Sequence, residues 1–188
     1  MKFRLLLVAV TLIGLATGWL TWMRYESTPG RLAQPPQKYP GSSSLPRILL
    51  FLHPYCPCSR ATVSEFLSLR NDLQGYAVEV VFSCPADLPY GKQLSKLRKS
   101  FPGSVIPDLT GEHTRSYGVW TSGQIVVYDG DGQLRFCGGI TRGRGQLGDN
   151  PGLRQLRAAL TGSSSHTEGP VFGCPIRDPD ELCGPPSE

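Results

Sequence analysis

The chain has 188 residues, enough for one domain with appendages, and carries 19 Lys and Arg against 15 Asp and Glu, a formal charge of +4. Lys2, Arg4 and Arg24 flank a single apolar stretch, which leaves 19 less 3, or 16, basic residues against 15 acids in the remainder. That near-neutral balance, with no cluster of Lys and Arg, excludes a nucleic-acid surface built on phosphate neutralisation.

Residues 5–23 form an almost unbroken apolar run without a charge. At ~1.5 Å per residue a helix of this length crosses a hydrocarbon core of about 30 Å. The run is long for a signal-peptide core, and no small-x-small cleavage site precedes Arg24. Residues 1–24 therefore read as an uncleaved signal anchor, with a cleaved signal as the alternative. Six cysteines in a tethered chain suit an oxidising compartment, so the soluble part is expected on the extracytoplasmic, periplasmic side. The positive-inside rule adds little, because Arg24, Arg31 and Lys38 follow the run. Residues 25–46, rich in Pro, Ser, Gly and Gln, read as a linker lifting a domain off the membrane.

The folded domain is expected over 47–162. Residues 47–52 (RILLFL) read as a buried strand. Residues 59–73 place Ala61, Val63, Phe66, Leu67, Leu69 and Leu73 at amphipathic helix spacing. Residues 76–83 (YAVEVVFS) are a second strand, and 90–101 a surface helix. A short strand at 105–108 and a short helix at 112–118, ending at Gly118, follow. Residues 124–128 and 134–137 flank Asp129-Gly130-Asp131-Gly132, a hairpin signal. Asn150 and Pro151 open a last helix running to about Leu160. Residues 163–188 read as a flexible tail in which Cys174 and Cys183 form a local disulfide.

Between the first strand and the first helix lies His53-Pro54-Tyr55-Cys56-Pro57-Cys58-Ser59-Arg60. A cysteine at such a junction meets the free N–H groups and positive dipole end of the helix. Both favour a thiolate, which makes Cys56 and Cys58 the candidate catalytic thiols.

Two βα units imply parallel strands joined by right-handed crossovers, and the hairpin adds antiparallel strands. The expected fold is α/β, a central mixed sheet flanked by helices behind an N-terminal transmembrane helix. Over about residues 47–160 this order resembles the thioredoxin-like superfamily, whose redox centre sits in the first βα turn. Within it the chain is similar to the little-characterised bacterial RedB group. That resemblance rests on the HPxCPCSRA segment, on Thr121-Ser122-Gly123, on the loop from Gly138-Gly139-Ile140-Thr141 to Gly148-Asp149-Asn150, and on Phe172-Gly173-Cys174-Pro175.

The parallel strands end on one sheet edge, where α/β sites gather. Cys56, Cys58, Cys84 and Cys137 are expected to share it. The sequence departs from thioredoxin in two respects. One residue, Pro57, separates the cysteines instead of two, so a Cys56–Cys58 bridge would be a strained, easily reduced ring. Alternatively one of them attacks and Cys84 or Cys137 resolves. The cis-proline that helps thioredoxins dock substrate and keep metals away is replaced by Gly123. That opens a second reading, in which His53, Cys56 and Cys58 bind Cu(I) or Zn(II), with Cys84 or Cys137 as a fourth ligand. A third is a non-catalytic, tethered interaction domain with structural disulfides.

Thr121, Ser122, Gly123, Arg142 and Arg144 form the expected substrate loop. Its charges bind an anion, or pair with neighbours and water. The redox reading requires no cofactor. It implies the membrane and a thiol or disulfide protein as partners, and no nucleic acid.

Overall fold

A computed structural model describes residues 2–41, 45–83, 90–101, 105–163 and 166–176. Cys84 and Cys183, and with them the expected roles of Cys84 and the expected Cys174–Cys183 bridge, lie outside the described residues.

Helix α1 (Lys2–Ser27) is apolar on every face and exposed along its length. Its 3–27 stretch has a mean hydropathy of 1.9 and is long enough to cross a membrane. The domain then runs β1 (Arg47–Leu52), α2 (Pro57–Ser68), β2 (Ala77–Ser83), α3 (Gly91–Ser100), β3 (Val105–Asp108), α4 (Glu112–Ser116), β4 (Gln124–Tyr128), β5 (Leu134–Gly138), α5 (Pro151–Leu160) and β6 (Thr167–Glu168). One six-stranded sheet has the order β3-β2-β1-β4-β5-β6. β1, β2 and β3 are parallel, β4 is antiparallel to both β1 and β5, and the short β6 runs parallel to β5.

Alternation along each strand splits the core between the two sheet faces. Ile48, Leu50, Leu52, Val80, Phe82, Ile125, Val127 and Phe136 pack with Phe66 of α2 and Leu153 and Leu156 of α5. Leu49, Phe51, Val81, Val126, Tyr128 and Cys137 form the second cluster, with Tyr117 and Val119. Ala33, from the expected linker, belongs to that second cluster.

Residues 28–41 are therefore not a free spacer. They run extended across the second face and are tied to it by backbone hydrogen bonds. The Gln34 N–H donates to Gly118 O (3.3 Å), the Tyr39 N–H to Gly132 O (2.8 Å), and the Leu134 N–H to Gln37 O (3.0 Å). The Gln124 side chain accepts from the Ala33 N–H at 3.3 Å, and the Tyr39 ring meets Tyr128 edge-on at 5.4 Å. Four prolines leave this segment without helix or strand periodicity, yet an extended Pro-rich backbone can lie along a sheet with little further ordering.

Asn150 caps α5 as expected. Its Oδ1 accepts from the Leu153 N–H (3.0 Å), while Nδ2 donates to Ile140 O (2.9 Å) and Gly148 O (2.8 Å). Asn150→Ala removes the cap and leaves a buried carbonyl unpaired. A loss of about 1–2 kcal/mol is expected, read as a lower urea midpoint at unchanged slope.

Candidate active site

β1 ends at Leu52 and the chain turns sharply before α2. The His53 N–H donates to Ser59 Oγ (2.9 Å) and the Cys56 N–H to His53 O (3.4 Å), which folds the turn against the helix start. Cys56 is the N-cap, with extended backbone (φ −82°, ψ 119°), and Pro57 takes the first helical position, where its missing N–H costs nothing. Cys58 follows within the first turn. Both cysteines are buried, 1% and 3% exposed.

Thr121-Ser122-Gly123 faces this turn. The Ser122 hydroxyl donates to the Cys56 sulfur at 3.1 Å. Gly123 has φ +83°, a conformation that favours glycine, and its N–H donates to Phe51 O (2.8 Å). A Cβ at Gly123 would lie 2.8 Å from Thr62 Oγ1. Thr121 is buried and donates to Arg31 O (2.7 Å), so it holds the strap at 28–41.

The chain's end brings the residue that sequence reasoning missed. Residues 171–176 lie antiparallel to 120–122. The Ser122 N–H donates to Cys174 O (2.9 Å), the Cys174 N–H to Ser122 Oγ (3.0 Å), and the Ile176 N–H to Trp120 O (2.8 Å), with Thr121 and Pro175 paired between them. This brings Cys174 beside Cys56, because one Ser122 Oγ accepts from the Cys174 N–H (3.0 Å) and donates to the Cys56 sulfur (3.1 Å). The expected tail cysteine is thus the third thiol of the site. Its one signal in the sequence was the Phe172-Gly173-Cys174-Pro175 match.

Cys137 is a correction of the opposite kind. It lies near the expected edge but on the wrong face. Phe136 packs toward α2 and α5, so Cys137 points to the second cluster. There its thiol donates to Ala33 O (3.5 Å) and accepts from Gln124 Nε2 (3.4 Å). Burial, aided by Glu168, pushes its pKa up to about 12. It is an inert core thiol, neither resolving thiol nor ligand. All four described cysteines, 56, 58, 137 and 174, are free.

The three clustered thiols titrate very differently. Hydrogen bonds from the Cys174 and then the Cys58 thiol hold Cys56 far below the ordinary thiol range. The Ser122 hydroxyl and the Ser59 N–H add to this, and together they outweigh burial. The α2 dipole acts in the same direction. Cys174 is pushed up because it donates to Cys56 and Cys58, with burial adding to this. Cys58 is drawn down by Cys174 and by the Gly145 N–H, but its own bond to Cys56, burial and the Cys56 charge leave it raised. His53 is lowered by burial, partly offset by the Cys56 charge. One thiolate is therefore surrounded by two protonated thiols.

A loop at 142–146 roofs the turn. Arg144 donates through Nη1 to Gly173 O and through Nε to Tyr25 O (3.2 Å), and its guanidinium lies 4.7 Å from the centre of the Tyr25 ring. Gln146 Nε2 donates to Glu26 Oε2 (2.7 Å). The last turn of α1 is thus tied to the loop over the thiols. The Arg142 side chain is exposed and lines a depression of about 350 Å³ with Asp149 and Phe172. Asp149 pairs with Arg154.

Among the described residues, no group of three or more His, Cys, Asp and Glu is arranged to hold a metal ion. His113 lies beside Asp108 (3.8 Å) and His166 beside Glu168 (3.9 Å), both away from the thiols.

No family model and no curated protein matches the chain. Solved structures do. A hypothetical protein from Sinorhizobium meliloti 1021 superposes at a TM-score of 0.58 and 19% identity, over 81% of this chain and 93% of its own. An uncharacterized conserved protein from Geobacillus kaustophilus does so at 0.58 and 20%, over 86% and 95%. A secreted disulfide oxidoreductase from Mycobacterium tuberculosis matches at 0.47 and 16%, over 64% and 83%. At such identities the first two show a likeness of fold. Parallel β3-β2-β1 extended by an antiparallel β4-β5 hairpin, with helices on the sheet and a cysteine turn between β1 and α2, is the thioredoxin-like fold.

Proposed function

We propose that the chain is a membrane-anchored thiol–disulfide redox protein in which Cys56 is the attacking thiolate. The observation that carries this reading is the meeting of three thiols and the Ser122 hydroxyl at the start of α2. Cys58 donates to Cys56 and is itself held by the Gly145 N–H. A stabilised thiolate favours the reduced state, so the disulfide form is the more oxidising one. That the four segments behind the RedB resemblance fall at one site supports this reading. HPxCPCSRA forms the turn, Thr121-Ser122-Gly123 supplies the hydroxyl, the loop after Gly138 forms the roof, and Phe172-Gly173-Cys174-Pro175 brings the third thiol.

In this reading α1 spans the membrane and the domain faces the extracytoplasmic side. Its partner is a protein thiol or disulfide. The ties from Arg144 and Gln146 to Tyr25 and Glu26 hold the site at the membrane-proximal end of the domain.

The test is to treat the reduced full chain, in detergent, with glutathione disulfide at pH 6 and map the modified sulfurs. Glutathione on Cys56, or a bridge including Cys56, is expected. Modification that spares Cys56 contradicts the proposal. Reaction that begins only after a chelator is added favours metal binding at His53, Cys56 and Cys58 instead.

A further inference from the structure

We propose that Cys174 is the resolving thiol of this centre, carried on the strap at 171–176 so that the oxidised form is a Cys56–Cys174 disulfide. The inference rests on Cys56 being the attacking thiolate.

The strap is built to fix this thiol. Backbone bonds to Trp120 and Ser122 hold it as an added antiparallel strand. The Gly30 N–H binds Val171 O (2.8 Å) and Arg144 binds Gly173 O, so the strap is also clamped on its outer side. At Gly173 the backbones approach so closely that a Cβ would fall 1.8 Å from Ser122 O. Only glycine lets the next residue, Cys174, sit this deep. Cys174 is half-buried, whereas Cys56 and Cys58 are buried.

The alternatives are poorer. A bridge between Cys56 and Cys58 closes across one residue, a tight ring that departs from relaxed disulfide geometry. Cys137 faces the other side of the sheet. A Cys56–Cys174 bridge joins two separately held backbones that the Ser122 hydroxyl already links.

The chemistry balances with a disulfide-bearing polypeptide, R–S–S–R′, as oxidant. The Cys56 thiolate attacks one sulfur, forming Cys56–S–S–R, and R′S⁻ leaves and takes a proton from water. The negative charge that held the proton on Cys174 has now gone. Cys174 releases that proton to solvent and attacks the Cys56 sulfur. Cys56–S–S–Cys174 forms, and RS⁻ leaves and is protonated. Two electrons pass from the two thiols to the substrate, which ends as two thiols. A dithiol partner drives the same steps in reverse.

The experiment uses the reduced full chain in detergent and the coloured disulfide 5,5′-dithiobis(2-nitrobenzoate). The wild-type protein should release two fast equivalents of thionitrobenzoate, and peptide mapping should then find Cys56 joined to Cys174. Cys174→Ser should release one, leave a persistent adduct on Cys56, and release the second at least about tenfold more slowly. Gly173→Val keeps every cysteine but unseats the strap, and should slow the second release similarly. This variant separates a loss of thiol placement from a loss of the thiol itself. A wild-type bridge mapped to Cys56–Cys58, with Cys174→Ser releasing both equivalents at the normal rate, overturns the assignment. Absence of any fast adduct on Cys56 in both proteins overturns the redox reading itself, and this inference with it.

Discussion

Cys56→Ser is expected to slow exchange with a small-molecule disulfide at pH 7 by at least about a hundredfold. The thiolate is the nucleophile, and a serine hydroxyl in its stead stays protonated at pH 7. His53 is buried and its pKa is lowered, so it carries a proton poorly, and its backbone N–H is committed to Ser59. The residual rate of this variant measures whatever Cys58 and Cys174 can do once Cys56 has gone. Cys137→Ser is the control. Its sulfur serves the opposite face, so exchange should keep the wild-type rate. Ser122→Ala lies between these extremes. It removes one of four donors to Cys56, and each unit by which the thiol rises is worth about 1.4 kcal/mol of lost thiolate stabilisation. Its rate should fall at pH 5–6 and converge on wild type above pH 9.

Phe66→Ala should cost about 3–5 kcal/mol, seen as a lower urea midpoint with little change in slope. Phe66 is fully buried and packs against Phe101, with ring centres 6.0 Å apart. It is the largest buried side chain of α2, with Val63 and Leu67 half-buried beside it and Leu69 buried just past the helix end. The helix's remaining buried side chains are the small Cys58, Ser59, Ala61 and Thr62. Emptying this site leaves a cavity in the close-packed core below the helix that carries the thiols. The loss is a sizeable share of a typical domain's stability of 5–15 kcal/mol, and is severalfold larger than that expected for the Asn150 cap.

The sheet was legible because its strands are short, strongly apolar and separated by clear turn signals. Residues 47–52 and the Asn150-Pro151 helix start fall where the sequence places them. Three features were not legible, each for a physical reason. The segment at 28–41 has a coil composition, yet it lies along the sheet as an extended strap. Topology alone puts Cys137 near the right edge, but which face it uses depends on a one-residue alternation. Cys174 lies in a Ser, Gly and Pro-rich tail, and only long-range backbone pairing with residues 120–122 takes it 118 positions back to Cys56. Local pattern carries no information on such pairing. The same is true of Arg144, whose guanidinium donates to Tyr25 O and Gly173 O.

The central claim is that Cys56 is a thiolate at neutral pH because neighbouring donors hold its charge. A group whose folded pKa lies below its unfolded value of about 8.5 stays ionised as pH falls through that value, and loses its charge only at its own lower pKa. The most direct test is ultraviolet absorbance near 240 nm, where thiolates absorb, followed on the fully reduced protein from pH 9 down to pH 4 and compared with Cys56→Ser. One thiolate equivalent that persists well below pH 7 in wild type, and is missing from Cys56→Ser, is the result the account predicts. Loss of the whole signal near pH 8.5, with the two proteins superimposable, would contradict it.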